Sequence, residues 1–120
     1  MPNKNQHSRA HKLLLEYRLM TCRKSALETV PGINNKALPA CMKQIRLTDE
    51  LAAALKSDKR FGDKLYWIIY ITYLSSRQLN DVEEILDDIA CKYERIPRRT
   101  YFRLRKRAVE IMDNHLNNEV

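Results

Sequence analysis

Between Arg95 and Arg107 the chain carries seven bases and no acid. Arginine suits one kind of chemistry well. Its planar guanidinium can hold O6 and N7 of a guanine together, or grip a phosphate or a carboxylate. Spacing matters here more than number. Tyr101, Leu104, Ala108 and Ile111 recur at helical intervals and form one apolar stripe. Measured from Tyr101 at about 100° per residue, Lys106, Arg99 and Arg103 fall near ~140°, ~160° and ~200°, opposite that stripe. Arg98 and Arg105 flank one edge of the stripe, and Arg107 and Thr100 the other. Pro97 marks the start, because proline is tolerated at the first position of a helix. Such a helix buries one side and offers bases from its first turns, the layout needed to enter the major groove of duplex DNA. Arg99 and Arg103 are the expected base readers. Arg98, Arg105, Lys106 and Arg107 are expected mainly on phosphates, and Thr100 suits either task. A basic run can also be a solvated face, or a partner for the five acids between Asp81 and Asp88.

Other reactive residues point nowhere comparable. His7 and His11 are one helical turn apart but lack a third ligand, so no metal site is expected. Cys22, Cys41 and Cys91 are odd in number and widely spaced. They are expected as reduced, small buried hydrophobes, with neither a disulfide framework nor a zinc site. No paired carboxylates and no Cys/His arrangement suggest catalysis, so neither an enzyme nor a cofactor is expected.

The elements that must position the basic helix read as all-α. The chain has 120 residues, 44% hydrophobic and 31% charged, with only two glycines and four prolines. That is a globular profile, poor in the tight-turn signals of a sheet protein. Met1–His7 is a polar end. Ser8 is a cap for a helix reaching about Thr29, in which Leu13, Met20 and Leu27 repeat every seven residues. That repeat suggests a dimerisation seam, although packing within the domain explains it more simply. Val30–Pro39 reads as a loop. Ala40–Leu47 is a short helix, and Thr48 is expected to cap a second start before Leu51–Leu55. Ser57–Arg60 is a charged connection. Phe61–Ser75 is apolar nearly all round, as a central helix would be. Asn80 is expected to cap the helix Asp81–Tyr93, whose inward face is Val82, Ile85, Leu86, Ile89 and Ala90. Small Ala90 would allow a close crossing by the last helix, with Ile96 filling the turn. The last helix runs to about His115.

Two helices joined by a short turn make a helix-turn-helix unit. The expected organisation is therefore a small helical domain with a C-terminal helix-turn-helix. An N-terminal helical region, 1–60, would share one core with the DNA-binding region, 61–120. The net charge is +7, all of it within the first 60 residues. The second half is neutral but polarised, acidic at Asp81–Asp88 and basic at Arg95–Arg107. The longest apolar stretch, Leu65–Leu74, is too short to span a bilayer, and the polar N-terminus shows no signal peptide. A cytoplasmic protein without membrane contact is expected.

Ile96-Pro97-Arg98-Arg99-Thr100-Tyr101-Phe102-Arg103-Leu104-Arg105-Lys106-Arg107-Ala108 resembles the recognition helix of phage-encoded transcriptional regulators of the ArpU and RinA type. These are similar in turn to region four of bacterial sigma factors. Leu74–Leu79 and Ile85–Ala90 fit the helices that precede it, and Ala10–Tyr17 looks like the opening helix of such phage proteins. Glu94-Arg95 stands where these motifs often carry glycine, and Pro97 where they often carry serine. The resemblance implies control of phage or prophage genes in a bacterial host cell. The expected partner is double-stranded DNA, and helix 8–29 is the candidate interface for a homodimer. The alternative is a protein-binding module that docks on RNA polymerase or another host regulator. RNA binding through the same basic helix is a third reading.

Overall fold

Ser8 begins the described structure by capping the first helix, as its position suggests. Its Oγ accepts the His11 amide at 3.0 Å and donates to Asp113 Oδ2 at 2.7 Å. Asp113 Oδ1 also accepts the Ala10 amide, at 2.9 Å. Of the amide donors that a helix start leaves without partners, His11's is thus satisfied by the local cap and Ala10's by a residue near the other end of the chain. This computed structural model describes residues 8–29 and 36–118. Among them the order is α1 (Arg9–Thr29), α2 (Ala37–Ala54), a 3₁₀ turn (Leu55–Ser57), α3 (Gly62–Ile69), α4 (Val82–Lys92) and α5 (Arg98–Asn118). α3 continues into a π-helical turn, Tyr70–Leu74. No strand occurs among the described residues, and the fold is all-α.

α1 and α2 pack along each other. Ala10, Leu14 and Met20 are buried, with Leu13 and Tyr17 packed partly against the core. Met20 Sδ lies 3.9 Å from Cys41 Sγ. Glu16 accepts from Gln44 at 2.9 Å, and Asp49 accepts from the Tyr17 hydroxyl at 2.7 Å. The middle of the proposed Leu13-Met20-Leu27 seam therefore faces the chain's own second helix. The large apolar residues left on the outside of α1 are Leu15 and Leu19, 63% and 55% exposed.

α2 differs from its expected form. It runs unbroken through Thr48, where the sequence suggests a new start. Thr48 is buried within the helix, and its hydroxyl donates to the Gln44 carbonyl at 3.0 Å. Its donor is satisfied one turn back, so it does not cap. The helix also begins earlier, and Pro39 sits inside its first turn, where no amide is missed. Of the expected loop, residues 37–39 are helical and residues 30–35 lie outside the described residues.

One apolar cluster joins both halves of the chain, from Ala10 and Leu51 through Leu65 and Ile89 to Leu116. Its centre is α3 and the π turn, with Leu65, Ile68, Ile69 and Ile71 fully buried. The π turn ends with the Ser75 amide donating to the Tyr70 carbonyl at 2.8 Å. Arg18 of α1 reaches this end and donates to the carbonyls of Ser75 (2.9 Å) and Thr72 (3.3 Å). A cation is favoured where carbonyls are left open at a helix end.

α4 starts one residue later than expected. Asp81, not Asn80, is the cap: its carboxylate accepts the Glu84 amide at 2.9 Å, while Glu84 Oε2 accepts the Asn80 amide at 3.2 Å. Glu84 thus bonds the helix start twice, by its amide to the cap and by its carboxylate to the amide one residue before the cap. Ile85 and Ile89 are buried, and Val82 and Leu86 partly so. Ala90 is exposed, contrary to expectation. The helix meets its neighbours along the Ile85/Ile89 line, and one further residue turns Ala90 about 100° out of it. Exposed Cys22 and Cys91 likewise depart from the expected burial, which only Cys41 shows.

Candidate nucleic-acid interface

The turn before α5 spans residues 93–97, because α4 stops at Lys92 rather than Tyr93. Tyr93 leaves the helix and stacks on Trp67 of α3, with ring centroids 6.1 Å apart and an interplanar angle of 22°. Glu94 lies 3.7 Å from Lys64. Ile96 is buried, as expected for a residue filling the turn. The Pro97 carbonyl accepts the Tyr101 amide at 2.9 Å, so helical bonding begins there. Outside the turn, Glu83, Leu86, Asp87 and Ala90 of α4 line a cleft of about 360 Å³ with Arg95, Ile96, Pro97 and Arg98.

Two residues lock the rotation of the first half of α5. Tyr101 is fully buried, and its hydroxyl shares a 2.8 Å hydrogen bond with Thr72 Oγ1 of the π turn. Leu104 is buried one turn later. A buried tyrosine whose hydroxyl is bonded has little freedom to rotate. The helical-interval prediction thus holds: Tyr101, Leu104 and Ala108 face inward, and Ile111 is half-buried. Val109, Met112 and Leu116 extend the buried face beyond the expected stripe.

The seven predicted contact residues occupy different environments. Arg99, Arg103 and Lys106 are exposed. They have no ion-pair or hydrogen-bond partner among the described residues. Arg98 is exposed but joined to Glu83 of α4 at 2.6 Å. Arg107 lies 3.5 Å from Asp58, in the connection between α2 and α3. Arg105 is half-buried, with its guanidinium over the Tyr101 and Phe102 rings at 5.4 Å and 5.0 Å. Thr100 is half-buried on the opposite edge.

Arg98 and Arg107 therefore meet acids, as the competing reading of a basic run anticipates. The Arg98–Glu83 pair is exposed on both sides, and such pairs contribute about 0–1 kcal/mol, so a phosphate can compete for it, whereas Asp58 is half-buried. The Asp81–Asp88 acids reach α5 only through Glu83 among the ion pairs of the described residues. Asp88 instead pairs with Lys92 on its own helix at 3.0 Å.

Phe102 escaped the sequence reading. It is 36% exposed, between the guanidinium groups of Arg98 (5.6 Å) and Arg105 (5.0 Å). Its place about 100° from Tyr101, at the border of the exposed arc, was the available signal. Asp58 also escaped notice. The Phe61 amide, donating at 3.0 Å, and then Arg107 hold its carboxyl below the usual aspartate value. Of the paired histidines, His7 lies outside the described residues, and His11 packs edge-on to Tyr73 at 6.2 Å. No helix among the described residues is long and apolar enough to cross a membrane. No family model, curated protein or solved structure matches the chain.

Proposed function

We propose that this protein is a sequence-specific, double-stranded DNA-binding transcription regulator of phage or prophage genes. α3, α4 and α5 act as its helix-turn-helix region, and α5 enters the major groove. The observation that carries the reading is the division of α5 into two faces. Tyr101, Leu104 and Ala108 are buried, while Arg99, Arg103 and Lys106 stand opposite, exposed and without acidic partners among the described residues. Three adjacent unpaired bases repel one another, so an anionic partner that neutralises them binds with a gain. Arg99 and Arg103 would read base edges, and Arg98, Arg105, Lys106 and Arg107 would hold phosphates on either side. A second copy would join through the outer face of α1, where Leu15 and Leu19 are exposed.

Selection of bound duplexes from a random pool tests the proposal. The expected result is one preferred sequence, repeated at about one helical turn if the protein binds as a dimer. Binding that is indifferent to duplex sequence overturns it. A second reading, docking on a basic protein surface such as one on RNA polymerase, draws on the cleft outside α4. The cleft is lined by Leu86, Ala90, Ile96 and Pro97, by the acids Glu83 and Asp87, and by Arg95 and Arg98, of which Arg98 already pairs with Glu83. A protein complex abolished by Asp87→Lys, with no duplex preference, would favour that reading.

A further inference from the structure

The connection between α2 and α3 is expected from its sequence as a charged linker, but it is a folded turn fastened to α5. The Asp58 amide donates to the Leu55 carbonyl at 3.1 Å, closing the 3₁₀ turn. The Phe61 amide donates to Asp58 Oδ2 at 3.0 Å, and the Gly62 amide to the Asp58 carbonyl at 3.2 Å. Gly62 lies flush against the turn: a Cβ there would stand 2.4 Å from the Lys56 carbonyl oxygen. Asp58 Oδ1 faces Arg107 at 3.5 Å, which holds the turn beside α5. Asp58 is the single acid of Lys56–Arg60, and its carboxylate is engaged on both oxygens.

Three bases of that turn are exposed. Lys56 Nζ lies over the Tyr66 ring at 4.2 Å, and Arg60 over Phe61 at 5.7 Å. Lys59 has no partner among the described residues. A polar recess of about 230 Å³ opens between these side chains and Lys64, with Asp63 as a second acid beside Asp58 against the four bases. Arg107 follows Arg99 by eight residues, about 12 Å along the helix axis at 1.5 Å per residue. Eight residues also turn Arg107 about 80° round the helix from Arg99, so the turn paired with it flanks the exposed basic face on one side.

We propose that Lys59 and Arg60 form a phosphate-binding element beside α5, fixing its register on the duplex without reading sequence. This rests on the α5 reading. Phosphate contacts position a protein and carry no sequence information directly. Each one neutralised contributes about 0.9 to the slope of log K against log salt on duplex DNA.

The test uses the full chain, the best duplex from the random-pool selection and a scrambled duplex, titrated across a salt series. With the Lys59→Ala/Arg60→Ala double variant, the slope should fall by about 1.8 in magnitude. Affinity should fall by the same factor on both duplexes. The substituted side chains are exposed, so the thermal midpoint should hold. A matched loss of charge at Arg23→Ala/Lys43→Ala, on α1 and α2, should leave the slope nearly unchanged. An unaltered slope in the Lys59/Arg60 variant, with Arg99→Ala still weakening the selected duplex, overturns the phosphate element and leaves the α5 reading intact. An equal fall in the Arg23/Lys43 control also overturns it, since overall charge then explains the effect. A reduced slope confined to the Lys59/Arg60 variant, with Arg99→Ala silent and no duplex preferred, supports the phosphate element and removes the α5 reader.

Discussion

The two halves of α5 belong to one uninterrupted helix but face different surroundings. Arg98–Arg107 carries six of its ten residues as Lys or Arg and is anchored by two buried side chains, Tyr101 and Leu104. Ala108–Asn118 carries no Lys or Arg and buries Ala108, Val109, Met112 and Leu116. Its Asp113 is turned toward the start of α1, accepting from Ser8 and Ala10. The C-terminal half buries a broader arc of its circumference, while Glu110, Asn114 and Asn117 stay exposed. The N-terminal half touches the core along one line and leaves the rest of its circumference open. Rigidity is thus supplied at one end of the helix and is available at the other, where a preorganised reader needs it.

That contrast breaks most visibly at Met112. It is fully buried, and Met112→Ala should cost about 2–5 kcal/mol of stability, read as a lower thermal midpoint. At a temperature where the variant stays folded, DNA affinity should be preserved. Affinity lost while the protein is still folded would show that the halves are not separable. The converse experiment is Arg99→Ala or Arg103→Ala. Each should remove about 1–3 kcal/mol of binding to the preferred duplex if it makes a bidentate base contact. Thermal stability should move by about 0.5 kcal/mol or less, as is usual for surface changes. A large thermal shift with unchanged binding would reverse the roles assigned to the two halves.

Smaller effects sharpen the boundary between them. Ser8→Ala removes the α1 cap and the donor to Asp113, and should cost about 1 kcal/mol in thermal unfolding. Its effect on duplex selectivity should be nil. Glu83→Gln frees Arg98 from an exposed ion pair, so stability should change by less than about 1 kcal/mol. DNA binding should become modestly tighter and more salt-dependent, and weaker binding would show that Glu83 positions Arg98 productively. The smallest effect concerns Asp58, whose carboxyl is held below its usual value by the Phe61 amide and then by Arg107. A depressed carboxyl contributes stability in full above its unfolded value, and loses it as pH falls through the lowered folded value. Asp58→Asn should therefore flatten the acid limb of unfolding while leaving neutral-pH selectivity unchanged.

Much of this architecture is local and was legible before any tertiary information. The Ser8 cap, the Tyr101-Leu104-Ala108 stripe and buried Ile96 all follow from neighbours within a few positions. The misreadings were also local, but ambiguous. Thr48 followed by two acids has the signature of a helix start, and only its buried hydroxyl and the Gln44 carbonyl distinguish it from a helix interior. Ala90 fits a broad inward face, yet the narrower line of Ile85 and Ile89 packs inward and leaves it outside. Tyr93 has no helix-breaking character of its own, and only the fold places it outside the helix, stacked on Trp67.

The sequence by itself determined that the chain is helical, which side of each principal helix is apolar, and that Arg99, Arg103 and Lys106 share one face. These properties depend on residue type and a periodicity near 3.6, both of which are local. Only the tertiary structure decided which bases have acidic partners and which do not. Arg98 meets Glu83 across 15 positions and Arg107 meets Asp58 across 49. Ion pairing falls away with distance in space, and no pattern along the chain reports that distance. The basic helix was visible as a run of residue types, but its sorting into open, stacked and paired arginines had to wait for the fold.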